Sequence, residues 1–171
     1  MKTLISRNQI ESNLRRTASY GYISLLNQKQ LEELALKHYG VYENNKLVGY
    51  TCPYSGELVT NFNDIVLEHI IPVSSTGGTV LFNCIPTSSK VNGSNEKGSK
   101  HLLSWWTKKD YFSAEKLDNL LTYIYEAYDT VFKEHTIEEV ENSYIDVDVY
   151  EEIEQEADCH LRIHKMKKKN N

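Results

Sequence analysis

The chain has 171 residues, 40% of them hydrophobic and 25% charged, and carries a formal net charge of −5. That length suits one domain, or one domain with an appendage, and no apolar run is long enough to span a bilayer, which argues against a helical membrane protein. Three scattered cysteines, Cys52, Cys84 and Cys159, exclude a disulfide framework, and residues 1–26 lack the charged-then-apolar layout of a secretory signal, so a cytoplasmic protein with reduced thiols is expected.

Along the chain, Ser6 is placed to cap a helix with Ile10 and Leu14 on one face and Arg15 and Arg16 beside them. Gly21 interrupts it. A second helix, about 27–39, carries Leu31, Leu34 and Leu36 and stops at Gly40, read as a C′ residue. Residues 41–50 alternate as a short hairpin around Asn44-Asn45, and residues 52–56, Cys-Pro-Tyr-Ser-Gly, form a tight turn. Further on, Leu102, Leu103, Trp105 and Trp106 make a compact apolar cluster, better suited to core packing than to stacking on bases. Ser113 caps the strongest helix, whose apolar face runs through Leu117, Leu120, Leu121, Ile124, Tyr128, Val131 and Phe132. Residues 136–158 are acidic with embedded apolar positions and read as another helix. The Lys-rich end is expected to fray, and Cys159-His160 with His164 is half a metal site at most.

Charge is unevenly spread. Residues 110–158 hold two Lys against sixteen Asp/Glu, whereas residues 1–109 are mildly basic and residues 159–171 are basic again. Any field attracting anions is therefore concentrated outside the acidic stretch, and the overall negative charge does not exclude a nucleic-acid partner.

The most informative stretch begins at Leu67-Glu68-His69-Ile70-Ile71-Pro72. It reads as a strand ending in an adjacent carboxylate and imidazole. After a Ser-Ser-Thr-Gly-Gly loop, residues 80–84 read as a second strand, and the polar segment 86–100 reads as a helix bearing Asn92 and Asn95. Successive side chains on a strand point to opposite faces, so Glu68 and His69 reach one rim only if the strand ends there. Pro72 and the Gly77-Gly78 loop allow that. Cutting a phosphodiester needs a base to deprotonate water and a cation to neutralise developing charge. Histidine titrates near neutral pH, and Glu and Asn offer the hard oxygens a divalent cation prefers.

Glu68-His69-Ile70-Ile71-Pro72, with Asn83 fourteen and Asn92 twenty-three positions after the histidine, resembles the ββα-metal motif of the HNH endonucleases. The spacing is similar to that in the HNH domain of CRISPR RNA-guided effector nucleases, and residues 52–56 resemble the turn common there. The resemblance covers about residues 50–106. Together with the helices read on either side, it gives an α+β protein: a ββα-metal nuclease core at 50–109, an N-terminal helical region at 1–49 and a C-terminal helical region at 110–171, forming one compact unit. It also implies that His69 is the general base and that Asn83 holds the loop and orients the histidine. Glu68 takes the first metal-ligand position, where Asp is commoner, and Asn92 the second, with Asn95 three residues on as its alternative. Lys90, Lys97 and Lys100 stand where phosphate contacts would help. One Mg2+ or Mn2+ is implied as cofactor. No structural zinc is expected, because the paired cysteines that hold it in many HNH domains are reduced here to Cys52.

The expected activity is metal-dependent hydrolysis of nucleic acid, DNA favoured over RNA, as in small HNH proteins of phages, mobile elements or defence systems. No element for base readout is recognisable, so a targeting subunit, a homodimer or non-specific nicking all fit. Two alternatives stand beside it. One is a catalytically idle HNH-like module that binds nucleic acid or protein; the other is a nuclease toxin with the acidic region as a brake.

Overall fold

Four of the five described α-helices begin where the sequence supplies a side-chain cap. In the computed structural model, which describes residues 3–21, 23–75 and 77–143, the Ser6 hydroxyl accepts from the Gln9 amide and opens α1 (Arg7–Ser19). Asn27 accepts from the Lys29 and Gln30 amides at the head of α2 (Gln28–Tyr39), and Ser113 accepts from Lys116 at the head of α4 (Ala114–Glu134). Each cap satisfies amides that the helix itself leaves unpaired. Thr136 and Glu139 bond reciprocally, side chain to amide at 2.8 and 3.2 Å, a capping box that starts α5 (Ile137–Ser143). The remainder of the acidic stretch, the Cys159-His160-His164 group and the basic tail lie outside the described residues.

Between the helices run two small antiparallel sheets. β1 (Gly40–Glu43), β2 (Lys46–Thr51) and β3 (Leu58–Val59) form the first; β4 (Ile65–His69) and β5 (Cys84–Ser88) form the second. The β1–β2 hairpin turns at Asn44 and Asn45, both left-handed with φ of 49° and 61°, the conformation a two-residue turn needs for its twist to match the strands. Gly40 departs from the C′ reading. Its φ is −68° and it is already extended as the first residue of β1. Glycine is needed there for space, since a Cβ would lie 2.5 Å from the Leu36 carbonyl oxygen.

The fold is thus mixed α+β, and two expectations about its centre are corrected. Residues 80–84 do not form the second strand. Leu81–Asn83 is a 3-10 turn, and the strand starts only at Cys84. The turn lets Phe82 stack on Tyr128 of α4, centroids 4.1 Å apart and planes 5° apart, while Asn83 faces the preceding loop. Nor do residues 89–101 form a helix. They fold as consecutive turns, and α3 (Leu102–Trp106) is only five residues long. Gly93, Gly98 at φ +47° and the intervening Ser and Asn residues favour turns over helix. The Lys97 amide bonds the Val91 carbonyl, a span no α-helix makes. Asn92 and Asn95 therefore share no helix face.

Aromatic side chains tie the layers together. Trp106 is fully buried and its indole donates to the Tyr54 carbonyl at 3.0 Å, so the 52–56 turn, closed by Gly56 N–H to Cys52 O, packs directly on α3. Trp105 is buried too, as core packing requires. Tyr50 of β2 and Tyr123 of α4 each donate to a β5 carbonyl, Pro86 at 2.9 Å and Cys84 at 2.8 Å. One apolar cluster runs from Leu4 to Val140. Among the described residues no helix is long and apolar enough to cross a membrane.

Phe82 joins the turn before β5 to α4. Phe82→Ala removes a fully buried ring and is expected to cost about 3–5 kcal/mol, read as a lower urea midpoint with little change in m-value. A loss under about 1 kcal/mol would show that the stack contributes little.

Candidate functional site

β4 pairs with β5 from Ile65↔Ser88 to His69↔Cys84, and the pairing stops at the histidine. Beyond His69 the chain loops around one carboxamide. Asn83 Oδ1 accepts from the Ile71 amide at 2.8 Å, and its Nδ2 donates to the carbonyls of Ile71 and Gly78 at 3.0 and 2.8 Å. The Asn83 carbonyl also accepts from the Ile70 amide at 2.9 Å. Asn83 is fully buried, so these bonds replace water for polar backbone that the sheet cannot pair. Gly77 fits this arrangement alone: a Cβ there would stand 1.8 Å from the Ile71 oxygen and 2.8 Å from Asn83 Nδ2.

Ending the strand at His69 has the geometric effect expected. Glu68 and His69 line one cavity of about 270 Å3, together with Asn92, Asn13, Arg16 and Ser94. Asn92 joins them because the 89–101 turns fold back toward β4. Asn95 is exposed and is not part of that lining. Arg16 and Asn13 come from α1, which is fastened along β4 by Gln9: its amide donates to the Ile65 carbonyl at 3.2 Å and its oxygen accepts from the Leu67 amide at 3.1 Å.

The three lysines part company. Lys97 is not a surface phosphate contact. It is fully buried, with its ammonium ion-paired to Glu68 and donating to the His69 carbonyl at 3.0 Å. Turn geometry drives it inward, and the buried carboxylate requires a cation beside it. Lys90 pairs with Glu57 at 2.5 Å and borders a different pocket with Ser55, Val91 and Tyr111. Lys100 bonds the carbonyls of Asn95 and Glu96. Lys90 and Lys100 are exposed.

His69 is buried, and its Nε2 lies 2.8 Å from Thr79 Oγ1. Burial first, then the charges of Arg16 and Lys97, lower its pKa from 6.5 to about 4, so the ring is neutral at pH 7 and keeps a lone pair able to take a proton. Burial pushes the Glu68 carboxyl up, opposed by the Lys97 ammonium in contact with it and by Arg16.

Glu68 and Asn92 bring a carboxylate and a carboxamide to one polar cavity, the donor chemistry of a cation that keeps much of its water, as Mg2+ does. The set fits such a cation, although Lys97 already balances the Glu68 charge. Among the described residues no three or more His, Cys, Asp or Glu side chains cluster as a metal site. Cys52 and Cys84 are both buried thiols, and burial raises Cys84 far above the usual thiol range.

Several of these positions escape the sequence pattern. The Arg15-Arg16 pair is visible on α1, but nothing local ties it to a strand fifty residues away. Thr17, Thr79 and the inward turn of Lys97 have no sequence signal at all. Compared with models of protein families, with curated proteins and with solved structures, the chain matches none.

Lys97→Met leaves Glu68 buried without a counter-charge and is expected to destabilise by about 3–5 kcal/mol. The double variant Lys97→Met/Glu68→Leu recovers most of that loss, in urea melts with EDTA present. Additive losses would show that the two side chains are not coupled.

For His69 the folded pKa lies below the unfolded value, so as pH falls the unfolded chain takes the proton first. Its contribution is therefore intact above pH 6.5 and is lost as pH falls toward 4, at up to about 1.4 kcal/mol per pH unit. His69→Asn should flatten the fall of stability in that window relative to wild type; identical slopes would contradict the buried neutral ring.

Proposed function

We propose that the protein is an HNH-type endonuclease that hydrolyses phosphodiester bonds of nucleic acid, DNA in preference to RNA, with a ββα-metal-like core in which β4 and β5 are followed by turns that carry Asn92 in place of the expected helix. The observation that carries this reading is the meeting of Glu68, His69 and Asn92 in one cavity with Arg16, although Glu68 and Asn92 are 24 positions apart in sequence.

In this reading the neutral His69 ring accepts a proton from water. The oxygen so activated attacks phosphorus, the bond to the leaving oxygen breaks, and that oxygen takes a proton from water while His69 returns its own to solvent, so that a phosphate monoester and a hydroxyl result. Arg16 sits where its guanidinium can meet a phosphate oxygen. Asn83 keeps His69 at the strand end by fixing the loop behind it. Glu68 and Asn92 would hold a divalent cation, Mg2+ or Mn2+, which when bound supplies charge neutralisation for the phosphate and the leaving oxygen. Lys97, too deep to touch substrate, sets the position and charge of Glu68.

The Lys97–Glu68 pair also favours a second reading. A carboxylate already neutralised by lysine has less to offer a metal, which suits a catalytically idle module that binds nucleic acid through Arg16 and its surroundings. The toxin reading turns on the acidic stretch, most of which lies outside the described residues.

A plasmid-nicking assay in Mg2+, Mn2+ and EDTA separates these readings. Metal-dependent conversion of supercoiled to open-circle DNA, reduced at least about a hundredfold in His69→Ala, is the expected outcome. Retention of DNA on a filter without cleavage in either metal would favour the idle module. Full cleavage by His69→Ala would remove the histidine from its role.

A further inference from the structure

His69 Nε2, Thr79 Oγ1 and Thr17 Oγ1 form a line of hydrogen bonds ending on a backbone carbonyl. Thr79 Oγ1 lies 2.8 Å from the ring nitrogen and is also hydrogen-bonded to Thr17 Oγ1. Thr17 Oγ1 in turn lies 3.0 Å from the Asn13 carbonyl, one turn back along α1. Both threonines are fully buried, so bulk solvent does not compete for these bonds.

A hydroxyl has one hydrogen, and a carbonyl has none. The Asn13 oxygen can only accept, so the Thr17 hydrogen goes to it. Thr17 Oγ1 is then the acceptor in its contact with Thr79, which uses the Thr79 hydrogen. Thr79 Oγ1 is left as an acceptor toward His69, and the ring must donate from Nε2. Every other assignment sets two lone pairs facing each other at hydrogen-bond distance inside a buried site, an arrangement that costs free energy.

We infer that Thr17 and Thr79 are positioning residues that fix His69 as the Nε2–H tautomer, leaving Nδ1 as the nitrogen that takes the proton. The anchor is well placed for this. The Thr79 carbonyl accepts from Ser24 Oγ at 2.8 Å, and the neighbouring Gly78 carbonyl accepts from Asn83, so the hydroxyl is presented on a fixed backbone. The last acceptor of the chain, the Asn13 carbonyl, lies on α1, and the helix therefore sets the hydrogen position on a ring carried by β4. Its kinetic consequence rests on the nuclease reading; the tautomer does not.

The test is a long-range proton–nitrogen correlation spectrum of the full chain, labelled with 15N at its six histidines and recorded above pH 7. His69→Gln identifies the His69 signals. The expected pattern is one pyrrole-like nitrogen at Nε2 and one pyridine-like nitrogen at Nδ1. Thr79→Val, nearly the same shape without the hydroxyl, should erase that preference and lower the nicking rate about tenfold or more, as loss of a partner that orients a site histidine does. Thr79→Ser should keep both. Thr17→Val frees the Thr79 hydrogen to turn toward the ring and should shift His69 toward the Nδ1–H form.

A wild-type His69 protonated on Nδ1 overturns the inference, whatever the variants do. So does a Thr79→Val protein with unchanged tautomer and unchanged rate. If wild type cleaves nothing, the nuclease reading fails while the spectrum still decides the tautomer. If wild type cleaves DNA with Nδ1 protonated, the nuclease reading stands and the inference falls.

Discussion

The candidate site depends first on the hydrogen bonding of one side chain. A strand that stops at His69 and turns sharply leaves polar backbone inside the protein, and Asn83 satisfies it on both sides of the loop. A carboxamide suits the task because it donates and accepts from one planar group. Aspartate could accept but not donate, and a hydroxyl would be too short to span Ile71 and Gly78. With the loop so held, His69 and Glu68 are presented at a strand end instead of being paired onward into sheet. The glycine at position 77 and the short 3-10 turn at Leu81–Asn83 answer to the same constraint, since both bring backbone within reach of that carboxamide.

Electrostatics form the second layer. Glu68 and Lys97 are both buried and in contact, and the pair is tolerable only because each removes the other's cost. The consequence extends to the segment between β5 and α3. Its turns are weak on their own, being rich in Gly, Ser and Asn, yet Lys97 pins their middle to the floor of the cavity through Glu68 and the His69 carbonyl. Asn92 reaches the cavity as a result. Arg16 and Lys97 also stand near the ring of His69 and, with burial, keep it neutral.

How much of this could be read from the residues varies with the range of the forces involved. Local chemistry was legible. The Ser6 and Ser113 caps, the Asn44-Asn45 turn and the apolar face of α4 are set by neighbours in sequence, and they lie where the pattern put them. The end of β4 at His69 was legible too, from Pro72 and the glycine pair. The second strand was misplaced because tertiary partners decided it, and the supposed helix because its Gly, Ser and Asn residues favour turns that a tertiary ion pair then fixes. Phe82 stacks on α4 rather than alternating in a strand, and a lysine expected at the surface was drawn to a buried carboxylate. The contributions of Arg16, Thr17 and Thr79 join residues more than fifty positions apart, and no local periodicity encodes such a meeting.

The fastening of α1 along β4 by Gln9 has a consequence for how the site comes into being. Its carboxamide bonds the backbone of Ile65 and Leu67 much as a neighbouring strand would, so it occupies an edge that would otherwise offer itself to another chain. The walls of the cavity are drawn from residues 13–16, 67–73 and 92–99, and bringing these together closes the intervening loops 17–66 and 74–91. Such long-range closure comes late in folding, after local helices and the hairpin can form. A partly folded chain would thus carry the Glu68-His69 strand with its edge open and without the opposite walls. Docking of α1 protects the edge and supplies one wall of the cavity together, and the site is complete only in a molecule that has finished folding.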